Sequence, residues 1–389
     1  MVEYVGRSTF AAPRVLEETR VGDCVRRLDW MLLAAAAGLV AYGLWLIAGI
    51  TREDVPGNPD YFVQRQAVAA ALGAVALVGA ILVDPSYYRR YKKVIYALII
   101  ALPIIVLVAG STVNGAQRWI DLGFYQFQPS ELGKLLLVLF LAAFLADRNK
   151  QIGEARTVAA AVGLALAPTL LVFLQPDIGT ALVFAAATAA VLFVAGARWT
   201  HLGILIALAA LAVSTVLWFA PAAGVEILKP YQEDRLTAFA NPDHDPGGVG
   251  YNVNQSITAV GAGGIGGRGV TGATQTKLDY LPFHETDFAF ASLAEQRGFV
   301  GASVLLLLYL LLIWRAIRIT AAARDLFSAT VAGAIAFVFL FQIFVNVGMT
   351  MGIAPITGIP LPFVSVGGSS IAASLLAVGL LQAIAVRRR

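Results

Sequence analysis

The chain has 389 residues, 59% of them hydrophobic and only 13% charged, and its mean hydropathy is +0.77. Soluble domains carry roughly 45–50% apolar and about 25% charged residues, so the balance excludes an ordinary soluble enzyme and points to a polytopic membrane protein. The net charge of +4 does not indicate a nucleic-acid partner, because no basic patch with interleaved aromatics occurs outside short loops.

Residues 1–28 form a polar N-terminal segment with charges of both signs. The apolar run after it is of full span length, so no cleaved signal peptide is expected. The single cysteine, Cys24, has no partner for a disulfide and carries no functional weight. A helix needs about 20 mainly apolar residues to cross the hydrocarbon core, which predicts spans at 29–50, 67–84, 94–110, 132–146, 157–174, 178–196 and 201–220, then at 288–313, 326–349 and 369–386. The expected fold is all-α: ten transmembrane helices, with one long extracellular loop between the seventh and eighth. The chain divides into helices one to seven at 29–220, the large loop at 221–287, and helices eight to ten with a short basic C-terminus at 288–389.

Lysine and arginine accumulate in cytoplasmic segments. With ten spans, Arg26, Arg27, Arg89, Arg90, Lys92, Lys93, Arg148, Arg198, Arg315 and Arg387–Arg389 all fall on one side, among nineteen of the 28 basic residues that do so. Both termini are therefore expected in the cytoplasm, and the 221–287 loop outside. Long ordered loops tend to be functional. Its first part, "VEILKPYQEDRLTAF", has an apolar side suited to a helix on the membrane surface. The next, "NPDHDPGGVGYNVNQS", reads as turn material, and its "DHD" lacks the register of a calcium loop. The "GAGGIG" beyond matches a dinucleotide-loop spacing but has no strand–turn–helix context, so these glycines are read as backbone that turns tightly or approaches a neighbour closely.

Polar residues within spans are expensive and usually functional. Glu131 and Lys134, in "QPSELGK", are spaced to share one helix face. They either neutralise each other or offer Lys134 to a phosphate. Asp177, in "QPDIGT", suits a helix N-cap. Glu295 and Arg297 are expected to neutralise each other, and Ser369 and Ser370 to cap the last helix over an anion site. The loop from Gly348 to Ser370 has no charge, so at membrane level it must pack on protein or line a cavity. In "LPFHETDFAF", Asp287 could simply cap the next helix, yet His284 and Glu285 exceed what a cap requires. Phe288 and Phe290 add apolar surroundings that would raise a carboxyl pKa towards the range of a useful base.

Taken in order, "RWIDLG" (118–123), "QPSELGK", "QPDIGTALVF", "KPYQEDRLTAFANP" (229–242), "GYNVNQS" (250–256), "TDFAFASLAEQRGFVG" and "TGIPLPFVSVGGSS" resemble the SEDS family of membrane glycosyltransferases that polymerise peptidoglycan. "KPYQEDRLTAFANP" is closer to the elongation members than to the division members. The resemblance implies lipid II as both donor and acceptor, and a class B penicillin-binding protein transpeptidase as partner within the plasma (inner) membrane. It implies Asp287 as catalytic base, with Lys134, Glu131, Arg118, Lys229, Arg235, Gln255 and Ser369 contacting substrate. It also leaves room for a divalent cation, Mg or Mn, at the pyrophosphate, served by Asp287, although no ligand set is legible. One departure stands out: family members usually carry an acid directly after "LP", where this chain has Phe283, which leaves Glu285 as the only replacement. Two other classes compete: a lipid II flippase or transporter, and a scaffold that only holds a partner enzyme.

Overall fold

The computed structural model describes residues 25–113, 116–121, 123, 126–219, 235 and 248–388. Asp29 caps the first helix, α1 (Trp30–Ile50), by accepting the Leu32 amide at 3.1 Å. α2 (Tyr61–Leu82) follows, then a one-turn α3 (Pro85–Arg90) and α4 (Lys92–Ala109). A three-stranded antiparallel sheet comes next, β1 (Ser111–Val113), β2 (Ala116–Asp121) and β3 (Gln126–Phe127). It is absent from the all-α expectation, because this stretch is too polar to span and too short to show a clear alternation. The chain continues through α5 (Pro129–Ala146), α6 (Ala155–Leu174), α7 (Ile178–Ala195) and α8 (Trp199–Ser214).

Beyond residue 247 lie α9 (Val249–Gly263), the single turns α10 (Gly269–Gly272) and α11 (Thr274–Lys277), and the long helices α12 (Ala289–Ala321), α13 (Leu326–Thr350) and α14 (Gly368–Val386). "GYNVNQS" is thus helical, not turn material as expected; its polar residues lie on a helix that packs on α12 and α13. Among the described residues, nine helices are long and apolar enough to cross a bilayer. The span expected at 201–220 is the 16-residue α8, continued by a wide π-type turn over Thr215–Phe219. The surface helix expected near 225–239 lies, apart from Arg235, outside the described residues, as does Cys24.

Helix order sorts by burial. Of their apolar windows, α5, α13 and α14 bury 83, 72 and 89%, against 22% for α2 and α4, so the first three form the centre and the last two face lipid. α2 and α14 cross closely through glycines: a Cβ on Gly73 would stand 3.0 Å from the Ala372 Cα, and one on Gly379 would stand 2.6 Å from the Leu77 carbonyl oxygen. Close backbone approach of this kind replaces the hydrophobic drive that lipid does not supply.

Successive antiparallel spans place the loops at two ends. One end holds ion pairs: Arg89 with Asp147 at 2.7 Å, Lys92 with the same Asp147, and Arg387 with Asp84 at 3.2 Å. There the buried Asp29 joins three helices. Its carboxylate accepts Arg315 Nε of α12 at 3.0 Å, and its backbone exchanges two hydrogen bonds of 2.8 and 2.9 Å with the Gln382 amide of α14. Removing one partner of a buried pair costs about 3–5 kcal/mol because the other charge is left uncompensated. Arg315 keeps some access to solvent, so Asp29→Ala is expected at the lower end, about 3 kcal/mol. Thermal denaturation of the detergent-solubilised protein should register this as a drop in Tm, while Asp147→Ala, at a solvent-accessible pair, should change it little.

Candidate active site

At the other end, residues 278–288 lead into α12. The segment turns through two left-handed residues, Asp279 (φ 54°) and Phe283 (φ 57°). The amides of Thr286 and Phe288 both return to the Phe283 carbonyl, at 3.1 and 3.2 Å. A bulky residue in this conformation is strained and persists only where its surroundings fix it. Here they do: Val366 N donates to Glu285 O at 2.8 Å, Ser365 Oγ to Thr286 O at 2.6 Å, and Asn346 Nδ2 to Asp287 O at 3.1 Å. Asn346 also donates to Ile359 O at 2.9 Å, so α13, the loop 351–367 and the segment before α12 form one hydrogen-bonded block.

That loop is packed on protein, as its lack of charge requires. Ile359, Leu361, Phe363 and Val364 are buried, Tyr309 of α12 donates to the Pro362 carbonyl, and Gln66 of α2 spans Ser365 O and Gly367 N at 3.0 and 3.2 Å. Gly358 (φ +70°) is placed where a Cβ would stand 3.2 Å from Arg235 Nη1 and 3.6 Å from Asp287 Oδ2. A side chain there would press on both charged groups.

Asp287 is partly buried and does not cap α12, whose N-cap is Phe288 without a side-chain bond. Burial pushes its carboxyl above the ordinary range; the guanidiniums of Arg235 and Arg118 pull it back, while Glu285 and Asp177 add to the rise. The net shift is upward. Phe288 and Phe290 are both buried beside it in sequence. This is a carboxylate in a dry surround with two cations in range, an arrangement able to accept a proton and to hold negative charge developing nearby.

Arg118 reaches from β2 to the turn before α7, where it donates to the Pro176 carbonyl and lies 3.8 Å from Asp177. Its Nε is buried with no hydrogen-bond partner. Asp177 caps α7 as expected, accepting Thr180 N at 3.0 Å, and also receives Gln128 Nε2 at 3.2 Å. Lys134 and Glu131 are both buried in the first turns of α5 and pair at 2.8 Å. A void of about 10 Å³, enough for one water at most, adjoins Lys134 between α5, α13 and α14. Neither residue is among the charges acting on Asp287. Gln255 lies partly buried on α9, and Lys229 falls outside the described residues.

Two expectations fail on geometry. Ser369 and Ser370 do not cap α14: its N-cap is Gly367, and Ser369 instead accepts Gln128 N at 2.8 Å and donates to Gln126 O at 3.2 Å, tying β3 to α14. Glu295 and Arg297 do not neutralise each other. The buried Glu295 carboxylate accepts Gln275 N, Thr276 N and Thr276 Oγ1 at 2.8, 3.0 and 2.8 Å, satisfying the start of α11. The Arg297 guanidinium sits 4.1 Å from the Trp45 ring centroid on α1. α12 breaks just after Arg297, at Gly298 (φ +64°), with the freed amides of Phe299 and Val300 bonding to Gly264 O and Ile265 O at 2.8 and 3.1 Å. The glycines of "GAGGIG" therefore do make a close backbone approach.

Sequence reading missed Asp54. This residue of the α1–α2 loop meets the buried His284 at 3.2 Å, and no local pattern could link positions 230 apart. Burial alone would lower the His284 pKa, but the Asp54 hydrogen bond and the charges of Asp54, Glu285 and Asp279 outweigh it and raise the pKa. Asn346 and Ser365 were also missed, being ordinary polar residues without a motif. As for a cation at Asp287, the charges facing it are Arg235 and Arg118 on one side and Glu285 and Asp177 on the other, with Asp177 engaged as a cap. The described residues form no ligand set there, and no step is derived through a metal.

Comparison with known proteins agrees with these motifs. A family model described as "Cell cycle protein", covering FtsW, RodA and SpoVE, matches residues 26–389. The peptidoglycan glycosyltransferase MrdB of Escherichia coli is 36% identical over 93% of this chain and 94% of its own length. Stage V sporulation protein E of Bacillus subtilis is 38% identical over 91% and 95%. Among solved structures, a chain of a peptidoglycan synthase complex that coordinates polymerization and crosslinking matches with TM-score 0.78 at 34% identity, covering 93% of this chain and 98% of that one. Thermus thermophilus RodA matches at 0.68 and 29%, covering 93% and 97%. The chain belongs to the FtsW, RodA and SpoVE family, the SEDS peptidoglycan glycosyltransferases.

Proposed function

We propose that this chain polymerises lipid II into glycan strands during cell elongation, with Asp287 as general base. The observation that carries the reading is the partly buried Asp287 carboxylate, raised by desolvation and faced by Arg235 and Arg118. In the proposed step the Asp287 carboxylate takes the proton from the acceptor 4-hydroxyl. The freed oxygen electron pair bonds to the anomeric carbon of the donor, and the bond from that carbon to the pyrophosphate oxygen breaks with inversion. Polyprenyl pyrophosphate leaves with the electron pair, and the two guanidiniums offset the negative charge that develops. The elongation role is supported by the similarity to MrdB and RodA.

Lys134 enters this scheme only if it leaves Glu131, since its ammonium is committed at 2.8 Å inside the core. We assign the pair first to neutralising two charges that α5 carries into the membrane. Orientation follows the basic residues: the end that holds Arg89, Lys92, Arg315 and Arg387 faces the cytoplasm of the plasma (inner) membrane, and Asp287 faces outward. The similarity to a chain of a complex that coordinates polymerization with crosslinking supports a crosslinking partner for this chain, which we assign to a class B penicillin-binding protein.

Polymerisation of fluorescent lipid II by the purified protein with its cognate transpeptidase tests the reading. Asp287→Asn, checked for folding, should lose glycan ladders by about 10²–10⁴-fold; ladders that persist would place the chemistry in the partner and favour transport or scaffolding. The base works as carboxylate, so activity should fall as pH drops through its raised pKa, at higher pH than the ordinary value of about 3.9 would give. Arg235→Ala removes a charge that lowers that pKa. In the pH–rate profile its acid limb should move to higher pH; an unmoved limb would show that another group titrates.

A further inference from the structure

Among the described residues, one group of three side chains has metal-ligating character in reach of each other: Asp54 of the α1–α2 loop with Asp279 and His284 of the segment before α12. Their donor atoms all lie within 4.8 Å. His284 Nε2 is 3.2 Å from Asp54 Oδ2, and Nδ1 is 3.2 Å from the Leu281 carbonyl and 3.9 Å from Asp279 Oδ1. The Glu285 carboxylate adds a further oxygen 3.9 Å from Nδ1.

The ring is 5% exposed, and every partner it faces is an oxygen acceptor. A neutral imidazole has one N–H and one lone pair. His284 Nε2 and the Asp54 carboxylate share a hydrogen bond of 3.2 Å; a cation set between them would take the place of the Nε2 proton, with Nδ1–H still donated to Leu281 O. Holding one nitrogen by N–H to a backbone carbonyl and presenting the other is how ligating histidines are oriented. Donor atoms about 3.2 Å apart also suit two ligands that each stand about 2.0–2.2 Å from one ion.

Access is provided. A cavity of about 340 Å³ opens beside the group, with Asp54 and Asp279 in its wall together with Gly49, Thr271, Lys277 and Gln296. Lys277 pairs with Glu53 at 3.3 Å, and Arg52 is the other cation in the cavity wall. The Asp279 side chain is largely exposed and free to close on an ion.

We propose that Asp54, Asp279 and His284 bind a divalent cation of the Mn²⁺ or Zn²⁺ class, for which one imidazole with two carboxylates is a fitting donor set. The ion is separate from the proton-accepting role of Asp287. It clips the α1–α2 loop to the segment that carries Asp287 and fixes the strained turn between Asp279 and Phe283. The proposal does not depend on the glycosyl-transfer reading, because its test measures binding itself.

The experiment is titration of the purified, metal-stripped full chain in detergent with Mn²⁺, reading free ion by its electron paramagnetic resonance signal, with Zn²⁺ as competitor. One ion should bind per chain. Asp54→Asn and His284→Gln should each weaken it at least tenfold, and Asp287→Asn should leave it unchanged. Asp54 lies in a surface loop, so its variant keeps the test decisive if His284→Gln fails to fold. No binding at millimolar Mn²⁺ or Zn²⁺, or equal binding in Asp54→Asn, would overturn the proposal and leave a doubly protonated imidazole holding the loop. Loss in Asp287→Asn alone would also overturn it, by moving the ion to the catalytic acid.

Discussion

Both amide hydrogens of Asn346 go to backbone carbonyls, one to Asp287 and one to Ile359, and the arrangement of the outer end depends on this bridge. Two stretches of non-helical chain, 278–288 and 351–367, meet there against the ends of apolar helices. Backbone groups left unpaired in such a surround cost several kcal/mol each, so the stretches satisfy one another and the side chains of α2, α12 and α13 satisfy the remainder. Asn346 is fully buried, and turning its amide over would set its oxygen against two carbonyl oxygens. Its orientation is therefore fixed, and with it the main chain at Asp287. The absence of charge from the loop 351–367 follows from the same constraint, since a charge in this surround would need a partner of its own.

Charges elsewhere in the molecule obey a related economy of position. Buried ions are tolerated when paired and hydrogen-bonded, and Asp29 with Arg315, Glu131 with Lys134, and Asp177 with Thr180 and Arg118 all meet this condition. Asp287 does not. Its carbonyl is held, but its carboxylate has only through-space help from Arg235 and Arg118, set against desolvation and two like charges. Of these four acids, the one whose side chain is not committed to structure among the described residues is the one suited to take up a proton.

The long apolar runs were legible because composition and length alone mark a bilayer helix. Their ends were not, since a helix entering water continues as far as local capping allows: α2 begins at Tyr61 and α12 runs on to Ala321, both beyond their apolar stretches. Asp177 and the Glu131–Lys134 pair were legible because caps and three-residue spacings are local. Asp287 stood out by its neighbours, although its role came from the motif resemblance. The fate of Glu295 was hidden, because its partners lie about twenty residues upstream, at Gln275 and Thr276. Ser369 failed as a cap because β3, which claims its hydroxyl, belongs to a sheet that no apolar pattern announced.

The turn that carries Asp287 is over-determined, and that explains how Phe283 is accommodated in a left-handed conformation. A left-handed phenylalanine costs roughly 1–2 kcal/mol; the Phe283 side chain is about half exposed, and within the turn only the amides of Thr286 and Phe288 return to its carbonyl. Further compensation comes from outside, through the bonds of Glu285, Thr286 and Asp287 main-chain carbonyls to Val366, Ser365 and Asn346, and of His284 to Asp54. Each tether originates on a different element from the turn itself. The strain is thereby distributed over contacts that are distant in sequence, and the position of the Asp287 carboxylate is set by the packing of α1, α13 and the α13–α14 loop rather than by the residues beside it.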